Sequence, residues 1–348
     1  MSPDDDFGPG EDVAADLRAE PRGFAPDEMV RCEECLRANP PTRATCLYCA
    51  SALPVTEQSA ILQRPTLRRL ENWEQGFNCI LMPDEQAASL SEQGLGEAAS
   101  LLRLTIEDAR RIFESQEPLP LARAANKSEA SLIERRLKEL GLEVLTIADE
   151  ELAVETKPPR RIRALELTAD ALVAWPTGSN DVLRASWHDV GLFVAGRIIV
   201  RQVEVEERPG RRAEKEIVAT RELSADDALL DIYSIAEEGN WRIIAGNFDF
   251  SCLGQEKSLL VAGNFTRLLM NLRERAAQAA FDDSYLRLRH ALNAAWPLEQ
   301  QTKSRGWRRD GPGRVRTEEV TTSDNELQFT RYSRLLYYLK SGRQGKAS

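Results

Sequence analysis

Between residues 77 and about 150 the apolar positions switch between strand-like runs and helical spacing. FNCILMP is a short apolar run closed by a proline and predicts a buried strand. In GEAASLLRLTIEDARRIFES, Leu101, Leu102, Leu104, Ile106, Ala109, Ile112 and Phe113 recur at helical intervals. Thr105 with Asp108 three residues on predicts the start of a second helix there. LPLARA predicts a strand. NKSEASLIERRLKELG predicts a helix opened by Asn126 or Ser128 and closed by Gly141, with Ala130, Ile133, Leu137 and Leu140 on one face. LEVLTI supplies a third strand. This order predicts a small three-stranded sheet with helices on one face.

From 160 to about 280 the pattern changes to alternation. RIRALEL and ALVAWP read as strands, and VLRASWHDVGLFVAGRIIVRQVEVEER as two or three more, with clean alternation over Val203-Glu204-Val205-Glu206. EIVATREL, ALLDIYSIA and NWRIIAGNFDF add strands. NFTRLLMNLRERAAQAA predicts a terminal amphipathic helix with Asn264 as its cap. The expected architecture is an antiparallel β-sandwich closed by a helix. Residues 281–348 then predict a helical region: DSYLRLRHALNAAW, ended by Pro297, and a last helix opened by a capping box from Ser323 to Glu326. Between the two lies KSRGWRRDGPGRVR, which reads as a basic loop. The fold class expected is therefore multidomain α+β.

The first 28 residues break both patterns. They are rich in Pro, Gly and acid and hold nine acidic residues against Arg18 and Arg22, so −7 of the formal −10 lies there. A disordered acidic tail is expected over 1–28, and a linker with a short helix near Gly76 over 55–76. The remaining chain is close to neutral, so net charge argues neither for nor against a nucleic-acid partner. No run of ~18 apolar residues exists, and the acidic start lacks the basic and apolar regions of a signal peptide. A cytoplasmic protein is expected.

Residues 29–54 hold the densest chemistry. Cys32, Cys35, Cys46 and Cys49 form two C-x2-C pairs ten residues apart. Each tight turn presents two sulfurs, and two turns complete a tetrahedron around one ion, which predicts a single structural Zn2+. Disulfides fit poorly with the absence of a secretory leader, and a redox dithiol would account for one pair only. With almost no apolar core, such a module would take most of its folding free energy, on the order of 10 kcal/mol, from the metal.

The full pattern, C-x2-C-x3-N-x6-C-x2-C with Asn39 as its asparagine, resembles the Ran-binding-protein type of zinc finger and, more loosely, short bacterial zinc ribbons. That resemblance implies a structural zinc, with contacts to single-stranded RNA from the asparagine and from arginines, here Arg31, Arg37 and Arg43. Val30 stands where RNA-reading members carry a base-stacking Trp. A second resemblance covers LTIEDARRIFESQEPLPLARAANKSEASLIERRLKELGLEVLTI. It is similar to the C-terminal domain of bacterial ribosomal protein L7/L12, whose fold is shared by the adaptor ClpS, through the Leu104/Ile106/Ala109/Arg110 helix start, the Pro118 break and the Gly141–Val144 turn. It implies that fold for 77–150 and a protein-docking role. Thr105 and Glu107 replace the glycine and lysine of the ribosomal factor-binding face, leaving Arg110. LELTADALVAW and SWHDV in 160–280 resemble the opening of a pleckstrin-homology or GRAM-like sandwich.

Catalytic motifs are absent. No P-loop, dinucleotide fingerprint or nucleophile elbow occurs, and the chain has two histidines, His188 beside Asp189 and His290 on a helix. Cys79 and Cys252 lie in apolar runs and read as core thiols. Around Trp307, the residues Arg305, Arg308 and Arg309 form a candidate phosphate contact, weighed against an ordinary solvated loop. The expectation is a zinc-binding adaptor or scaffold for protein partners, without catalytic activity. The alternative is a nucleic-acid-associated protein using the finger arginines and the Trp307 segment.

Overall fold

Two runs of sequence, Met1–Thr66 and Leu67–Ser348, form separate compact units in the computed structural model. The structure describes residues 23–54, 59, 65, 67–71, 73–83, 90–209, 215–235, 240–311 and 314–344, with backbone alone at 206–209, 215–219, 305–311, 314–318 and 343–344. Most of the expected acidic tail and half of the 55–76 linker fall outside the described residues.

The first unit is built on a minimal hairpin. Strands β1 (Val30–Arg31) and β2 (Ala38–Asn39) pair antiparallel, Val30 opposite Asn39. Its buried apolar cluster is Val30, Cys32, Cys46 and Leu53. Among the described residues that cluster has four side chains, two of them cysteines, too few to outweigh the entropy of ordering residues 29–54.

In the second unit, β3 (Phe77–Leu81) lies between β4 (Leu119–Ala124) and β5 (Val144–Ala148), antiparallel to both. Helices α1 (Glu92–Leu102), α2 (Ile106–Phe113) and α3 (Lys127–Glu139) connect them. The caps follow the sequence: Thr105 Oγ1 accepts from the Asp108 N–H at 3.1 Å, and Asn126 Oδ1 from the Glu129 N–H at 2.9 Å. The one-sided packing expected for this sheet is not what forms. Cys79 faces α3, its Sγ 3.7 Å from the Ala130 carbonyl, while its neighbour Asn78 points to the other face and accepts a 2.8 Å hydrogen bond from Trp296 Nε1. Both faces are therefore covered. A short helix α4 (Asp149–Leu152) follows β5.

A large mixed sheet of nine strands follows. Strands β6 (Arg160–Leu167), β7 (Ala171–Pro176) and β8 (Leu183–Ser186) form one flank. Two strands of 20 residues each, β9 (Val190–Pro209) and β10 (Lys215–Ser234), form the middle with β11 (Asn240–Ile244). Helix α5 (Val261–Arg275), strand β12 (Ala280–Asp282) and helix α6 (Tyr285–Leu292) come next. The hairpin β13 (Glu299–Gly311) and β14 (Arg314–Asp324) extends the other flank, and α7 (Glu326–Gln344) ends the described chain. The order is β13-β14-β9-β10-β11-β6-β7-β8, with β12 also on β9.

Several expectations are corrected here. The sheet is mixed, because β11 runs parallel to β6 and β12 parallel to β9. The two strands expected over 216–236 are one, β10, since its polar middle is held in register by β9 from Lys215 to Ser234. The basic segment read as a loop is the β13–β14 hairpin, with Arg308 opposite Arg316 and Arg309 opposite Val315. Asn264 is not the cap of α5, which starts three residues earlier. It is buried within the helix, and its Oδ1 accepts from the Ser258 N–H at 2.7 Å. At α7 the residue that receives the Glu326 N–H is Asp324, at 3.0 Å, while Ser323 belongs to β14.

Leu67–Ser348 has two interiors. One joins the three-stranded sheet and its helices to Leu192, Val194, Tyr285, Trp296, Phe329 and Tyr332. The other lies on the opposite side of the large sheet, under α5, around Phe193, Leu230, Trp241 and Leu268. The boundaries expected near 150 and 280 thus fall within one unit. Its α7 side holds a buried ion pair. Arg242 and Asp231 stand opposite each other on β11 and β10 and bond in bidentate fashion at 2.7 and 2.8 Å. Thr330 Oγ1 accepts from Arg242 at 2.9 Å, and Ser333 Oγ donates to Asp231 at 2.8 Å. Close approach is needed nearby: a β-carbon at Gly196 would meet Phe329 at 2.5 Å.

Candidate metal centre

Each C-x2-C pair closes on the same backbone scheme. The Cys32 N–H donates to the Arg37 carbonyl at 3.0 Å and the Leu36 N–H returns to the Cys32 carbonyl at 2.9 Å. The second pair repeats this, Cys46 N–H to the Ser51 carbonyl at 2.8 Å and Ala50 N–H to the Cys46 carbonyl at 3.1 Å. Leu36 and Ala50, the residues just after the second cysteine of each pair, both take the left-handed conformation, at φ 58° and 60°. That reversal turns both sulfurs of a pair inward. An isolated Thr45–Ala52 bridge closes the second turn.

The four Sγ atoms lie within 4.8 Å of one another. Cys32 to Cys49 and Cys35 to Cys46 are each 3.5 Å apart, far beyond a disulfide bond of about 2.05 Å. A tetrahedron with metal–sulfur bonds of ~2.3 Å has edges of about 3.8 Å. The four residues can therefore hold one metal ion, and all-sulfur tetrahedral sets suit zinc or iron.

Asn39 ties the halves together. Fully buried, it accepts from the Leu47 N–H at 2.8 Å, donates to the Arg37 carbonyl at 2.9 Å and places Nδ2 3.5 Å from Cys46 Sγ. The Tyr48 N–H adds a contact to the same sulfur at 3.4 Å. Against a desolvation that raises it, N–H donors from Tyr48 and Cys49 bring the Cys46 thiol down to about 6. Against a backbone contact at Arg37 that lowers it, burial and the three neighbouring thiols push Cys35 up to about 12, so of these two thiols Cys46 gives up its proton first.

The other residues singled out in the sequence are more scattered. Arg31 is exposed on β1. Arg37 stacks over the Tyr48 ring at 4.6 Å, and Arg43 Nε donates to the Thr45 carbonyl at 3.3 Å. Arg305, Trp307, Arg308 and Arg309 lie on β13 in the second unit, where only their backbone is described. His188 is exposed at the β8–β9 turn and His290 on α6. Cys79 is buried and its thiol is pushed up to about 12 by burial, and the half-buried Cys252 to about 11 for the same reason. Both behave as neutral core thiols.

Compared with protein-family models, with curated proteins and with solved structures, the chain matches none. Its site is therefore judged on geometry alone. That geometry includes an exposed apolar surface. Leu36, Leu47 and Tyr48 are 70%, 53% and 56% exposed. The available signal was positional: Leu36 follows the first pair, and Leu47 and Tyr48 are the two residues inside the second. Metal-bearing turns that fold outward leave such positions in solvent. Among the described residues, no helix is long and apolar enough to cross a membrane.

Proposed function

We propose that the chain is a zinc-stapled adaptor or scaffold that makes protein–protein contacts and does no catalysis, acting in the cytoplasm. The observation that carries this reading is the exposure of Leu36, Leu47 and Tyr48 on a module whose own buried apolar cluster numbers four residues among those described. Exposed large apolar side chains on so small a frame suit a partner's apolar surface, and the Arg37–Tyr48 stack gives that surface an aromatic and a cation of the kind enriched at interfaces. Zinc is the metal proposed, since four thiolates without an open position make a structural site. The finer likenesses, to a Ran-binding-protein-type finger and to the L7/L12 C-terminal fold, belong to this proposal and agree with a docking role.

The nucleic-acid reading has less support. Arg37 and Arg43 are engaged within the finger, Asn39 is buried, and Val30 faces the interior rather than offering a stacking platform. The experiment is a pull-down with the zinc-loaded full chain beside its Leu36→Asp/Tyr48→Asp variant. Proteins retained by the parent and lost from the variant support the adaptor. Identical retention by both, or binding to single-stranded RNA that weakens steeply with salt, overturns it.

A further inference from the structure

In a chain with 56 acidic and 46 basic residues, none of the described residues lining one cleft of the second unit is acidic. It has a volume of about 390 Å3 and is lined by Arg68, Arg69, Arg103 and Arg123 above Leu102 and Leu121. Two of those cations are already matched. Arg68 pairs with Glu74 at 2.6 Å, and Arg123 pairs with Asp149 at 2.6 Å. Arg69 and Arg103 are exposed and make no ion pair among the described residues.

The walls come from separate elements: the 67–70 segment, the end of α1, strand β4 and the turn after α6. Leu102, Leu121 and Ala295 also belong to the buried interior, so the apolar floor is fixed before any ligand arrives. A second cleft, of about 130 Å3, shares Asn293 as a wall and again has cations, Arg201 and Arg289, and no acid among its described lining residues. Cations left unmatched around a concave site attract an anion, and the guanidinium fork suits carboxylate and phosphate oxygens. The apolar floor asks for more than a bare anion. Among the described residues no aromatic lines the main cleft, so those walls give a base nothing to stack on.

We propose that this cleft binds one amphiphilic organic anion, its carboxylate or phosphate head on Arg69 and Arg103 and its apolar body over Leu102, Leu104 and Leu121. The volume suits a small-molecule site, typically about 300–1,000 Å3. Arg103 gives the proposal a sharp control. It ends α1 in the left-handed conformation, φ 56°, at a position glycine fills without strain. Arg103→Gly therefore removes the guanidinium while easing the backbone, separating loss of binding from loss of folding.

The test is calorimetric titration of the full zinc-loaded chain with dodecyl phosphate and with laurate, both below their micelle concentrations. Saturable one-to-one binding of either is expected, and which of the two binds tighter identifies the head group. Arg69→Ala/Arg103→Gly should weaken it at least tenfold without lowering the melting temperature, and Arg69→Ala alone should weaken it less. Dodecanol and inorganic phosphate should compete poorly. No saturable binding of either probe, unchanged affinity in the double variant, or equal competition by inorganic phosphate would each overturn the proposal.

Discussion

At the scale of single residues, two buried polar groups carry the sharpest expectations. Asn39 satisfies the Leu47 N–H and reaches a ligand sulfur from one side chain. Asn39→Ala leaves that N–H without its partner, a cost of about 1–3 kcal/mol. It should lower metal affinity by roughly 10–100-fold, the usual effect of losing a group that orients a ligand, as read by competition with a chromogenic chelator. The Asp231–Arg242 pair behaves differently. Arg242→Met strands a carboxylate with almost no solvent access, and urea unfolding should show a loss of about 3–5 kcal/mol. Arg242→Met with Asp231→Leu removes both charges and should recover much of it. If the double variant is no more stable than the single one, the pair is not the source of the loss. Neither group's role was legible beforehand. Asn39 was visible as part of a spacing, but spacing does not reveal which way a side chain turns. Asp231 and Arg242 look like ordinary surface charges until β10 and β11 are in register.

Elements were legible where local chemistry decides them. The caps at Thr105 and Asn126, the left-handed stop at Gly141 and the strands of 77–150 all follow from short-range rules. Recognition failed where tertiary pairing overrides local pattern. The polar stretch through Ser224, Asp226 and Asp227 looks like a break, yet β9 holds it as strand. The GPG-containing basic segment looks like a loop, yet β14 is clamped on its other edge by β9 from Thr317 to Ser323. The cysteine turns are the opposite case, since their spacing alone foretold the cluster. Their expected dependence on metal is direct. Removing the ion from the purified protein with a strong chelator should collapse the amide resonances of residues 29–54, while those of β9 and β10 stay dispersed. Retained finger resonances in a metal-free sample would show that the hairpin folds unaided.

For the whole of Leu67–Ser348, the polar chain Gln328–Trp296–Asn78–Asp149–Arg123 links α7 to the three-stranded sheet through hydrogen bonds of 2.6 to 2.9 Å. With the shared interior around Phe329 and Tyr332, it predicts one cooperative unfolding transition in calorimetry. Two resolved transitions, one for 77–150 and one for the rest, would contradict this. Phe329→Ala should cost about 3–5 kcal/mol and destabilise both regions together. Sequence order hides such unity, because its partners lie far apart along the chain. The 20-residue β9 has a further consequence, for synthesis. One edge pairs with β10 soon after it is made, but the other waits for β12 and β14, the latter roughly a hundred residues later. At ribosomal rates of about 5–20 residues per second, that edge stays open on the nascent chain for on the order of 5 to 20 s. Chains released early, before residue 317 or so, would carry a long unpaired template for association with one another, so complete translation guards this protein against aggregation.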